Sequence, residues 1–101
     1  MDERALYFQT LMEHYPEDGL RYLRIIDLDQ VTELFPQDLA KAYSLARESR
    51  NELICKRIQK GVLYSQDNQT LSDSRADELM DLLLDAEIKA RKIRQDRRDS
   101  A

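Results

Sequence analysis

The stretch PQDLAKAYSLARESRNELICKRIQKG, residues 36–61, organises the predicted fold. Pro36 suits the first position of a helix, because the N–H that it lacks needs no partner there. Gly61 suits the position after a last helical residue, since glycine adopts left-handed angles easily. Between them, apolar residues recur at the steps of three and four that mark one helix face; they are Leu39, Ala42, Tyr43, Ala46, Leu53, Ile54 and Ile58. The stretch therefore predicts one long helix over about 36–60.

This apolar stripe has a gap at Ser49 and Arg50, in the middle of the predicted helix. We interpret Arg50 as lying along the edge of the stripe, with its aliphatic part packed and its guanidinium in water. The alternative is a break in the helix at this point, where the surface that it packs against changes.

The composition is that of a small helical protein. The chain has 101 residues, with only two glycines and two prolines and with 36% charged residues, which favours a single domain of helices joined by few tight turns. The single cysteine, Cys55, excludes an intramolecular disulfide and fits a reducing compartment. No apolar run approaches the ~18 residues of a membrane span, and the acidic start MDER is not a signal peptide. We therefore expect a cytoplasmic protein.

Two helical regions precede the central stretch. The first covers 2–15, where Ala5, Phe8, Met12 and Tyr15 share a face. It ends because the residue before Pro16 is pushed away from helical angles. Residues 16–35 fit either one bent helix or two short ones. We favour two, because Asp27 followed by Gln30 resembles the start of a helix.

A polar connector, 62–72, leads to a last helix over about 73–98. We expect the two long helices to form an antiparallel hairpin covered by the N-terminal helices, in an all-α fold of four to five helices. The first half of the last helix carries apolar residues on most of its circumference, so we expect burial there. Because one small body does not cover all of that surface, the pattern also predicts a homodimer.

No catalytic set is recognisable. His14 and Cys55 could form a thiolate pair, but a free cysteine beside an apolar stripe is typical of a core residue. His14, Glu13 and Asp18 make a weak ligand set for a metal. The sequence therefore predicts a protein that is not an enzyme and has no metal site and no cofactor.

The charges in the last helix are segregated, with acids in the first half and bases in the second. A helix dipole favours this order without any ligand. The functional interpretation is a projecting basic arm, about 89–101, that binds a partner. The candidate contact residues, with Arg91, Arg94 and Arg98 on one face, are Lys89, Arg91, Lys92, Arg94, Arg97 and Arg98.

Two functions fit such an arm. The first, which we favour, is that of a non-enzymatic adaptor or regulatory protein that binds a protein partner through a helical surface, and the bases of this surface favour an acidic partner. The alternative is a nucleic-acid-associated protein that contacts phosphates with the same bases. No aromatic residue that could stack on bases lies in the arm, and the chain as a whole carries a net charge of −4. Both observations favour the protein partner.

Parts of the first half of the chain resemble the Hha/YmoA family of small helical modulators, which bind a nucleoid protein rather than reading DNA. The similar residues are Leu20-Arg21-Tyr22-Leu23-Arg24, Gln37-Asp38-Leu39-Ala40, Tyr43-Ser44, Ala46 and Glu52-Leu53. The resemblance implies a helical, protein-binding module. It does not extend to the last helix, and we assign no family from it.

Overall fold

The computed structural model describes residues 3–100, with side chains described for 3–99, so that Asp2 of the predicted first helix and Ala101 of the predicted arm lie outside it. The described residues form helices and no strand, which confirms the all-α prediction. The region 16–35 forms two helices, as favoured. The six helices are α1 (Glu3–His14), α2 (Pro16–Ile25), α3 (Leu28–Val31), α4 (Pro36–Glu48), α5 (Glu52–Asp67) and α6 (Asp73–Ser100).

The helix predicted over 36–60 is in fact two helices, α4 and α5, and this raises the helix count from the expected four to five to six. Arg50 lies in the left-handed region with a φ of 58°, so it turns the chain instead of lying along a stripe. Asn51 starts α5, and its side-chain oxygen accepts a hydrogen bond from the backbone N–H of Ile54 at 3.4 Å. The hydroxyl of Ser49 donates to the carbonyl of Leu45 at 2.8 Å. The polar gap in the stripe supplies the residues that end one helix and cap the next.

Gly61 does not end a helix, although the sequence predicted that it would. Helix α5 continues through it to Asp67, so the connector is 68–72 rather than 62–72. Gly61 is buried against α3, and a Cβ atom at this position would lie 2.7 Å from the Cβ of Val31. Glycine is therefore required here for the close approach of two helices, and not for a left-handed angle.

Helices α4 and α5 form the central layer of the molecule. Helix α6 packs on one side of this layer, most extensively against α4, while α1, α2 and α3 pack on the other. At one end of the α5–α6 pair, the side chain of Gln66 donates to Asp73 at 2.9 Å. At the other end, Arg47 lies between Glu52 and Glu87. The expected antiparallel hairpin therefore exists, but only α5 forms it with α6.

The core lies on both sides of the central layer. Its side chains come from every helix and leave few polar atoms buried without a partner. The largest fully buried side chains are Tyr43, Phe8, Met12, Leu23, Leu39, Ile54, Ile58, Val31, Val62 and Cys55. No helix in the described range is both long enough and apolar enough to cross a membrane.

Candidate protein-binding surface on the last helix

Helix α6 is much longer than the helices on which it packs. Its 28 residues span about 42 Å at the helical rise of about 1.5 Å per residue. Helices α4 and α5 have 13 and 16 residues. The longest dimension of the molecule is 46 Å, close to the length of α6 alone. No single one of these helices therefore covers the whole length of α6.

One side of α6 is buried along most of its length. Its buried residues recur at steps of three and four; they are Ala76, Leu79, Leu83, Ala86 and Ala90. The seam predicted from the spacing of apolar residues is Leu79, Leu83, Ala86, Ala90 and Ile93, so it omits Ala76 and wrongly includes Ile93. After Ala90, which is fully buried, Ile93 is already 37% exposed. Packing of α6 against the central layer thus ends within the segment 89–101. That this segment projects as an arm stays a prediction.

The six bases proposed for partner binding differ in their surroundings. Arg91 contacts Glu87 one turn earlier at 3.3 Å, and Arg97 contacts Glu48 at the end of α4 at 3.4 Å. Both arginine side chains remain 69% exposed, and exposed ion pairs of this kind contribute only about 0–1 kcal/mol. Arg94 is half-buried beside the central layer, whereas Lys89, Lys92 and Arg98 are exposed.

Of the predicted contact face, Arg94 is therefore half-buried, whereas Arg91 and Arg98 are exposed. The bases surround the end of the helix rather than forming a single stripe. A partner could approach this end from several directions.

The charge of the chain is unevenly distributed. Residues 89–99 contain six bases and the two acids Asp96 and Asp99, which gives a net charge of +4. Since the whole chain carries −4, the remainder carries −8. Within α6, residues 73–88 carry six acids and one base, or −5. The last helix is thus strongly dipolar along its axis, beyond the dipole of its own backbone.

The expectation that the first half of α6 is buried on most sides is wrong. Met80, Leu84 and Ile88 are 39%, 55% and 56% exposed. They follow one another at steps of four, so they form an exposed apolar stripe beside the buried seam. Spacing alone does not indicate which of the apolar residues are exposed, because all of them satisfy a helical spacing. That choice depends on α4 and α5 covering only one side of α6.

A polar cluster around Arg47, which was not predicted from the sequence, joins three helices. Its guanidinium donates to the hydroxyl of Tyr43 at 3.0 Å and to Glu52 at 3.0 Å, and it lies 3.5 Å from Glu87 of α6. The same Tyr43 hydroxyl accepts a hydrogen bond from Gln59 at 2.8 Å. Arg47 is 19% exposed, and each of its contacts is within the chain. The cluster fixes how α4, α5 and α6 meet.

The candidate catalytic residues are not brought together. Cys55 is fully buried in the core, and burial raises the pKa of its thiol, which disfavours the reactive thiolate. His14 is exposed at the end of α1, with Glu13 at 3.8 Å as its acidic neighbour. Within residues 3–99, no group of three or more histidine, cysteine, aspartate or glutamate side chains is placed to hold a metal ion.

The described side chains thus present one basic helix end and one exposed apolar stripe, both on α6, as the surfaces best suited to contact another macromolecule. Comparison of the chain with protein-family models, with characterised proteins and with solved structures finds no match, so the resemblance of its first half to the Hha/YmoA family has no support from them.

Proposed function

We propose that this protein is a non-enzymatic adaptor or regulatory protein that binds an acidic surface of a protein partner through the basic second half of α6. The observation that carries the proposal is the exposure of a net charge of +4 on residues 89–99, at the end of a helix that is longer than its supporting helices. Oppositely charged surfaces accelerate association and suppress wrong partners.

A protein partner fits this surface better than nucleic acid does. Helix α6 contains no aromatic residue on which a base could stack. The remainder of the chain carries −8, which repels a long phosphate backbone and permits contact only at the helix end. An acidic patch on a protein is small enough to meet the basic end alone.

The proposal is tested by charge reversal at exposed positions, with the full chain as bait in a lysate of its source organism. Lys92→Glu combined with Arg98→Glu removes the basic character of the helix end. The matched control is Lys56→Glu combined with Lys60→Glu, which makes the same change in net charge at exposed positions on α5. Truncation before Ala90 is a poorer test, because it removes a buried residue and the contact of Arg97 with Glu48.

We expect the chain to capture a protein partner whose binding survives nuclease treatment. This partner should not bind the variant with Lys92→Glu and Arg98→Glu (the α6 variant), and it should still bind the variant with Lys56→Glu and Lys60→Glu (the α5 variant). Purified partner should then bind the α6 variant at least about tenfold more weakly, a difference of about 1.4 kcal/mol. Retention by both variants contradicts the proposal. Loss on nuclease treatment favours the nucleic-acid alternative, for which log K should fall with log[salt] at about −0.9 per duplex phosphate contacted.

A further inference from the structure

The exposed stripe on α6 has a symmetric arrangement of side chains about Leu84. Met80 precedes Leu84 by four residues, and Ile88 follows it by four. Three residues further out in each direction lie Asp77 and Arg91. The five residues share one side of the helix, since steps of three and four return to the same face. Along this stripe the order is therefore acid, three apolar residues, base.

We propose that this stripe binds the same stripe of a second copy of the chain, with the two α6 helices antiparallel and Leu84 opposite Leu84 at the two-fold axis. Met80 of each copy then lies opposite Ile88 of the other, and Asp77 lies opposite Arg91. Two-fold dimers use one self-complementary surface on both subunits, and the spacing about Leu84 supplies that complementarity. The inference does not rest on the proposed function, which concerns the basic end of α6.

The charges indicate which molecule binds the exposed stripe of α6 and in which orientation it binds. Two parallel α6 helices in register would place Asp77 against Asp77 and Arg91 against Arg91. In the antiparallel pair centred on Leu84, residues 73–79, which carry −2, face residues 89–95, which carry +4. Arg91 is available for the new contact, because it is 69% exposed and its guanidinium has five N–H donors, of which the contact with Glu87 engages few.

The register is also specified. If one copy is shifted by a helical turn in one direction, Met80 lies opposite Lys92 and Asp77 loses its basic partner. The opposite shift places Asp77 against Glu87 and Met80 against Leu84. Only the arrangement centred on Leu84 pairs all three apolar residues with one another and both ends with opposite charge, so it is the register of lowest free energy.

The interface is small. Its apolar centre consists of three side chains from each copy, all between 39% and 56% exposed in the single chain. An interface of this kind lies near or below the lower end of about 1,200 Å² that is usual for stable complexes. We therefore expect a dissociation constant of the dimer in the micromolar range, so the equilibrium has to be measured over a series of protein concentrations.

Sedimentation equilibrium on the full chain, from about 1 µM to about 1 mM, measures the dimer. We expect Asp77→Arg and Arg91→Asp each to weaken dimerisation by at least about tenfold, since each places like charges opposite one another. The double variant, with both charges exchanged, should recover most of the lost affinity. Leu84→Glu should be monomeric throughout. Circular dichroism of each variant establishes that the helices are retained.

A disulfide cross-link tests the symmetry directly. Leu84→Cys should form a covalent dimer under mild oxidation, because the two new thiols face each other at the two-fold axis. Glu78→Cys, exposed on another side of α6, is the matched control, and the wild-type chain with its buried Cys55 gives the background.

Three results would overturn the inference: a wild-type chain that is monomeric at the highest concentration, a double charge exchange that fails to recover affinity, or equal cross-linking of the variants at 78 and 84. If the monomeric Leu84→Glu variant still captures the partner of the basic end, the two proposals are separate. Another outcome is that the wild-type chain is monomeric and captures a different protein that the Leu84→Glu variant does not capture. In that case this protein, and not a second copy of the chain, binds the stripe.

Discussion

The sequence predicts a continuous helix in each of two long segments of this chain, and only one of the two segments forms one. Helix α6 runs for 28 residues without a break, whereas the segment 36–67 turns at residues 49–51 into α4 and α5. In α6, a buried apolar residue recurs every three or four positions from Ala76 to Ala90. In the other segment, Ser49, Arg50 and Asn51 interrupt the buried seam. A continuous seam keeps a helix straight across a core, and a polar gap of one turn is enough to end it.

Helix propensity alone does not account for this difference. Arginine is a good helix former, yet Arg50 adopts a left-handed angle that costs about 1–2 kcal/mol for a residue other than glycine. Folding α5 back onto α4 compensates for this cost. As two helices, the segment packs α4 against α6 and packs α5 against both α3 and α6.

The largest effect that we predict is at Gly61, in the second half of the broken segment. Gly61→Ala should lower the free energy of unfolding by about 2 kcal/mol, measured by urea denaturation, because its methyl group meets the side chain of Val31. At an ordinary helical position the same substitution would raise the free energy of unfolding by about 1 kcal/mol.

The control for Gly61→Ala is a double-mutant cycle with Val31→Ala. Since the smaller side chain makes room for the new methyl group, the double variant should be less destabilised than the sum of the two single variants. Additive effects, or a stabilising Gly61→Ala, would show that α3 and α5 do not approach as closely as described.

The second prediction compares substitution by glycine at Arg50, in the turn between α4 and α5, with substitution by glycine within α6. Arg50→Gly should raise the free energy of unfolding by about 1 kcal/mol, because glycine adopts the left-handed angle without strain. Glu78→Gly, at an exposed position within α6, should lower it by about 1 kcal/mol. Thermal or urea unfolding measures both. If both substitutions destabilise the protein, position 50 is helical and the two segments do not differ.

The sequence was sufficient for the features that local spacing determines. Most of the buried seam of α6, most of the inward face of α1 and the start of α3 at Asp27 follow from steps of three and four residues and from capping residues. The exceptions are Tyr15 and Ile93, which were predicted on these faces and are 62% and 37% exposed. At α3 the backbone N–H of Asp27 donates to the side chain of Gln30 at 3.0 Å, half of the capping arrangement that the sequence indicated. The central position of 36–61 was also correct, since α4 and α5 lie between all the other helices.

The sequence was insufficient where distant elements decide the outcome. Gly61 looked like the end of a helix, and only the closeness of Val31 explains why it lies within one. The exposure of Met80, Leu84 and Ile88 depends on which side of α6 is covered by α4 and α5. Arg47 gave no local signal, because its partners lie on three different helices. Spacing identifies a face, but not the element that packs against it.

The smallest predicted effect is at Asp38, in the first turn of α4, and it depends on pH. One carboxylate oxygen of Asp38 is buried without a hydrogen bond. Burial raises the pKa of this carboxyl group, with Glu13 adding to the shift and Lys41 opposing it. Because the pKa in the folded state is above that in the unfolded state, the contribution of Asp38 to stability is present at low pH and is lost as the pH rises through the folded-state pKa.

Asp38→Asn should therefore stabilise the protein near neutral pH, where the wild-type group is charged, and the gain should disappear in acid, where it is protonated. The gain is expected to be below about 0.5 kcal/mol, since the group is partly solvated and a carboxylate at the start of a helix is favoured by the helix dipole. Urea unfolding of both proteins from about pH 7 to about pH 3 measures the difference. A difference that is constant over this range would mean that folding does not shift the pKa of the carboxyl group. A difference that grows in acid would mean that the group is stabilised in its charged form, as an exposed acid at the start of any helix would be.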